Sequence, residues 1–193
     1  MNKLIILQKV KILLDKYSSG QLGDTTMPED THPSFKTQEE QLLYYTLPMA
    51  LNYQKDSYKL WEAAKSTWED EESKKVFNIE WISSNNEDVI KNLLLRYKLA
   101  LQPNKHIDTW KRISTTIYEN WESISGLIAE SDNDYLKLRD IVQKKYKKGF
   151  PYLSGPKIFN YWSYILTQYC DVELKNRNPI LKFHTLKYRP PFS

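Results

Sequence analysis

Cysteine, glycine and long apolar runs are what this sequence has least of. Of its 193 residues one is cysteine, Cys170, and five are glycine. A lone thiol excludes an internal disulfide, a cysteine-ligated zinc site and a four-cysteine iron–sulfur cluster. It fits a reducing, cytoplasmic setting. So little glycine argues against a Gly-rich all-β protein and for helices. No apolar run approaches membrane-spanning length, so no membrane partner is expected. The histidines His32, His106 and His184 are scattered without metal-ligand spacing, and no metal site is expected. A Gly-rich phosphate loop, a Gly-x-Ser-x-Gly elbow and a His-Glu-x-x-His pair are all missing, and no cofactor is expected.

Aromatic residues are what is plentiful: fourteen Tyr and six Trp, with aromatics making 13% of the chain. The net charge of +4 is small but uneven. Residues 144–193 hold ten Lys or Arg against Asp171 and Glu173, a net +8, which leaves −4 for the rest of the +4 chain. A basic C-terminal quarter on a mildly acidic body suggests an anionic partner, with a solvated basic face as the plainer alternative.

Taken in order, residues 2–17 begin like a signal peptide. Lys9 and Lys11 interrupt the apolar run too early, and an amphipathic helix is the better reading. Residues 18–36 read as loop, punctuated by Pro28 and Pro33. Thr37 to Glu40 is a capping box. The helix it opens meets Pro48, where it kinks or gives way to a second short helix. Asp56 or Ser57 starts a helix with Tyr58, Trp61, Ala64 and Trp68 on one face. Phe77 to Ile82 is an apolar connector or helical turn, and Ser84 to Glu87 a second capping box. Pro103-Asn104 separates two further helices, the second carrying Ile107, Trp110, Ile113, Ile117 and Trp121. Asp132 or Asn133 caps a helix running to Tyr146. The tail from Asn176 is basic and Pro-containing, and residues 180–188 fit a helix, a strand or an extended arm equally well.

The stretch with most chemistry runs from Lys144 to Lys157. A basic helix end, Lys144, Lys145, Lys147 and Lys148, enters Gly149-Phe150-Pro151-Tyr152-Leu153. Then Ser154-Gly155-Pro156-Lys157 opens another helix. Pro156 suits the first helical position, and the bare N-terminus behind it offers unpaired N–H groups to a phosphate. Gly155 would allow a close backbone approach. The four lysines add attraction for a polyanion. An ordinary helical corner with solvated lysines is the competing reading.

Element order from about Leu42 to Ile165 resembles the helix-hairpin-helix DNA glycosylase superfamily, the class that includes endonuclease III. The residues that carry it are the Phe77-x-x-x-Trp81-Ile82 connector, the Lys105-x-x-x-x-Trp110 helix start and Phe150-Pro151-Tyr152-Leu153-Ser154-Gly155-Pro156-Lys157. The resemblance implies a DNA partner held through Ser154, Gly155 and the lysines Lys144, Lys145, Lys147 and Lys148. It also implies a monovalent cation as the only metal the hairpin would hold. If Gly155 matches the second glycine of the family's Gly-x-Gly, Leu153 replaces the first and Lys157 falls on the Schiff-base lysine. If it matches the first, that position is Phe159 and the lyase chemistry is lost. The family's catalytic Asp has no match at Leu181-Lys182-Phe183-His184; Asp171 is the nearby carboxylate of the right type.

The expectation is therefore an all-α protein with a single globular domain of about eight helices. Residues 1–36 form an N-terminal helix and long loop packed across it, 37–175 the helical glycosylase-like domain, and 176–193 a basic tail. The functional expectation is nucleic-acid binding, with base excision by Lys157 as amine nucleophile and Asp171 as catalytic acid. A non-catalytic helical protein-interaction module is the alternative.

Overall fold

The computed structural model describes residues 3–22, 26–53 and 56–177. Among them the chain forms nine α-helices and no strand. They are α1 (Lys3–Ser18), α2 (Gln38–Thr46), α3 (Ser57–Glu69), α4 (Ile79–Ser84), α5 (Glu87–Arg96), α6 (Pro103–Trp121), α7 (Ile124–Glu130), α8 (Tyr135–Asp140) and α9 (Pro156–Tyr169). The all-α expectation holds, and no helix among the described residues is long and apolar enough to cross a membrane.

Local chemistry explains most boundaries. Thr37 Oγ1 accepts from Glu40 N–H at 3.2 Å and starts α2. The Glu40 carboxylate returns to Lys36 N–H at 2.7 Å, one residue before the usual capping-box partner. Pro48 ends α2 and opens a 3₁₀ turn, Pro48–Leu51. Asp56 caps α3 through Tyr58 N–H at 2.9 Å. Asn86, rather than Ser84, caps α5 through Val89 N–H at 3.1 Å. Asp134 caps α8 through Leu136 N–H at 2.7 Å. Asp132 and Asn133, the expected caps, are instead left-handed, at φ 56° and 54°, and turn the chain into it.

The core is aromatic. Trp61, Trp110 and Trp162 are all fully buried. Each places its indole N–H on an acceptor: Glu29 Oε1 at 3.0 Å, the Val76 carbonyl at 2.7 Å and Thr46 Oγ1 at 2.9 Å. Burial of a large ring stabilises strongly only when that one polar atom is satisfied. Helix α6 is the central post, with α4, α5 and α7 packed along it.

Two expected boundaries move. Helix α1 is not packed across the body: Leu14 is half-buried, and its other described side chains, from Ile5 to Tyr17, are exposed. In contrast the 3₁₀ turn Pro28–Asp30 is part of the core, with Glu29 1% exposed. At the other end Lys175 bridges to Asp134, and Arg177 is buried, so the body continues to Arg177. The tail beyond it, including Leu181 to His184 and the span 180–188, lies outside the described residues.

Candidate functional site

The lysine-rich corner is built by an irregular descent from α8. Residues Ile141–Lys145 form a π-helical turn, closed by Tyr146 N–H donating to the Ile141 carbonyl at 2.8 Å. Such turns insert one residue into a helix and re-aim the chain beyond it. The 3₁₀ turn Lys147–Gly149 comes next. A β-carbon on Gly149 would sit 2.5 Å from Thr116 Oγ1, so glycine is what lets this turn lie against α6. Phe150 and Leu153 are fully buried. Tyr152 between them takes a left-handed φ of 59°. The Gly155 and Ser154 N–H groups donate within the turn, to Tyr152 and Phe150 carbonyls, each at 2.9 Å.

Gly155 is the cap residue of α9, Pro156 occupies the first helical position, and no side chain caps the helix. Its φ of −67° is ordinary, so left-handed freedom is not why glycine stands there. The close approach it allows is to its own turn: a β-carbon would meet the Tyr152 carbonyl oxygen at 3.0 Å.

Tyr152 turns outward and stacks on Tyr53, with centroids 4.0 Å apart and planes 4° from parallel. The Lys105 ammonium lies 5.4 Å from the Tyr152 ring and 5.7 Å from that of Tyr53. Lys105 belongs to the first turn of α6, which also begins with a proline and no side-chain cap. Two bare helix starts, each with partial positive charge, thus lie beside one tyrosine. His106 orders this arrangement. Its Nδ1 accepts from Leu101 N–H at 3.0 Å, which leaves Nε2 of the neutral ring to donate to Tyr53 Oη at 3.2 Å. The Tyr152 hydroxyl, and after it Tyr53, raises Lys105 above its ordinary value, so it is a firm cation. Burial, then Tyr152, pushes the Tyr53 phenol up, while Lys105 pulls it down.

The residues expected to form the site lie on the 144–157 stretch, apart from Asp171 at the other end of α9. Ser154 is half-buried and is not the cap. Lys157 is exposed in the first turn of α9. Lys144 pairs with Asp140 at 3.0 Å, and Lys145 lies 5.2 Å from the ring of its neighbour Tyr146. Lys147 and Lys148 are exposed on the 3₁₀ turn. Asp171 is exposed and left-handed at φ 54°, just beyond the far end of α9. It lines a cleft of about 500 Å³ with Gln38, Ser125, Asn133 and Glu173. The 14 residues of α9 put Lys157 and Asp171 about 20 Å apart at 1.5 Å per residue. The amine and carboxylate expected to share one reaction centre are therefore not brought together. The helix between them holds these near neighbours in sequence apart.

What the corner does gather, Tyr53, Lys105 and Tyr152, comes from three distant segments. The one local signal for it is a repeated helix start, Pro103-Asn104-Lys105 and Pro156-Lys157.

The other dense polar cluster centres on the buried Glu29. Glu29 Oε1 accepts from Trp61 Nε1 and from the Tyr161 hydroxyl, and Oε2 has no partner. Tyr45 donates to the Glu29 carbonyl at 3.1 Å, and Tyr169 to Asp30 Oδ1 at 2.7 Å. Burial pushes the phenols of Tyr45, Tyr161 and Tyr169 far up. Three aromatic rings of α9 are engaged here. Trp162 is in the core, Tyr161 holds Glu29, and Tyr164 stacks on Tyr161 with the Arg177 guanidinium 5.6 Å from its ring. No protein-family model, no curated protein and no solved structure matches this chain.

Proposed function

We propose that this protein binds a nucleic-acid strand by its phosphate backbone at the corner where α6 and α9 begin. The observation that carries the reading is the convergence on Tyr152 of the Lys105 cation and the uncapped start of α9. Backbone N–H groups with no acceptor inside the helix, and cations held nearby, suit phosphate oxygens. Lys157, in the first turn of α9, is exposed and adds a cation at that helix start. The outer face of the Tyr53–Tyr152 stack offers a flat surface for a base, as in sequence-tolerant strand binding. Base excision forms no part of this reading, because the length of α9 separates Lys157 from Asp171.

The test is fluorescence anisotropy of labelled single-stranded and duplex oligonucleotides across a fourfold rise in salt. Four phosphate contacts would weaken binding about 100-fold over that rise. The Lys105→Ala/Lys157→Ala double variant should weaken binding to all sequences alike and make the salt slope shallower by about 2. Absence of binding to either form, or binding the double variant leaves intact, overturns the proposal.

A further inference from the structure

Helix α1 and a groove at the end of α6 have complementary surfaces. Ile6, Val10, Leu13 and Tyr17 follow the four-three-four spacing of a helical stripe and are 41%, 46%, 57% and 44% exposed. Leu7 joins that stripe at 56% exposed. Lys9 and Lys16 lie along one side of it and Lys11 along the other, at 100° per residue. A helix of 16 residues is marginal in water on its own, so this one needs a surface to lie on.

The groove encloses about 460 Å³ between the start of α2, the turn Ser73–Phe77, α4 and the end of α6. Its floor is aromatic, with Trp68 and Phe77 buried and Trp81 and Tyr118 half-buried. Its rim is acidic. Glu39 is committed to Ile124 and Ser125 of α7, and Glu40 to Lys36 and Lys74. Glu71, Glu80 and Glu122 complete the acidic rim, with Glu80 engaged by the Tyr118 hydroxyl, against one further rim cation, Lys75. None of the described residues of α1 lines this groove. Within one chain Tyr17 lies near Tyr164 of α9 instead.

We infer that α1 of one copy lies in the acidic aromatic groove of a second copy. Its apolar stripe meets Trp81 and Tyr118, and Lys9, Lys11 and Lys16 meet Glu71, Glu80 and Glu122. Three cations on the helix answer three carboxylates on the rim, and each surface supplies the apolar cover the other lacks. Reciprocal exchange gives a closed twofold dimer with two such contacts, and leaves the lysine corner open.

Size-exclusion chromatography with light scattering on the full chain tests this. The expected mass is that of two chains. Leu7→Glu with Leu13→Glu, both on exposed positions, should give one chain whose helical circular dichroism falls by no more than the 16 residues of α1. Glu80→Lys with Glu122→Lys should raise the dimer dissociation constant about 100-fold. Adding Lys9→Glu and Lys16→Glu to that groove variant should restore the dimer. A wild-type chain that runs as a monomer, a dimer indifferent to the Glu80→Lys/Glu122→Lys pair, or α1-dependent binding to anionic vesicles without dimerisation would overturn the inference.

Discussion

Helix α9 connects two tyrosine-bearing regions that use the same chemistry in opposite ways. Around Glu29, the hydroxyls of Tyr45, Tyr161 and Tyr169 and the indole of Trp61 are all spent on the Pro28–Asp30 turn, with the Tyr45 and Trp61 bonds fully buried and that of Tyr169 at the surface. Around Tyr152, the polar groups are paired just enough to hold two rings and one ammonium in place, and two helix starts face outward. The first arrangement converts polar atoms into stability. The second leaves donors uncommitted, which costs stability and is what a ligand needs. A count of tyrosines along the chain does not distinguish them; the partner of each hydroxyl does.

That contrast breaks most visibly at Glu29. Glu29→Ala strands the Trp61 and Tyr161 donors in the core and should cost about 3 kcal/mol in urea unfolding. Anisotropy of the fraction that remains folded should show unchanged strand binding. The next effect is at the support of the corner. Gly149→Ala forces a β-carbon onto Thr116 and should cost about 2 kcal/mol. Thr116→Ala should recover part of that in a double-mutant cycle. Gly155→Ala, whose φ is already compatible, should stay within about 1 kcal/mol of wild type.

Tyr152 sharpens the comparison further. Tyr152→Ala keeps the left-handed strain and loses the stack, whereas Tyr152→Gly loses both. The glycine variant should be the more stable by about 1 kcal/mol, while both bind a labelled strand more weakly than wild type. The smallest effect concerns pH. The Lys144 hydrogen bond, working against a smaller desolvation by burial, holds Asp140 below its ordinary 3.8. A carboxylate depressed in the folded chain stabilises above 3.8, and that contribution is lost as pH falls through the folded value. Asp140→Asn should therefore leave the melting midpoint nearly unchanged at neutral pH and flatten its decline below 3.8.

Much of the fold was legible because it is written locally. Thr37, Asp56 and Pro48 act within a few residues of themselves, and the structure obeys them. The cap of α8 was misplaced because Asp132, Asn133 and Asp134 are chemically alike; backbone angle separates them. Helix α1 carried an apolar pattern that implied packing, but a pattern says that a face wants cover without saying where the cover is. The candidate site was half legible. Pro156 and the bare start behind it could be read directly. Tyr53 and Lys105 could not, since they reach Tyr152 only through tertiary packing. Gly149 and Gly155 both stand out in the sequence, yet the crowding by Thr116 that makes one of them obligatory is invisible in a single chain of letters.

Cys170 ends α9 fully buried, and burial raises its thiol far above the usual range. The one sulfhydryl of the chain is therefore silent toward alkylating reagents while the protein is folded. Its labelling rate becomes a clock for how often the back of the helix bundle opens, with no probe to be introduced.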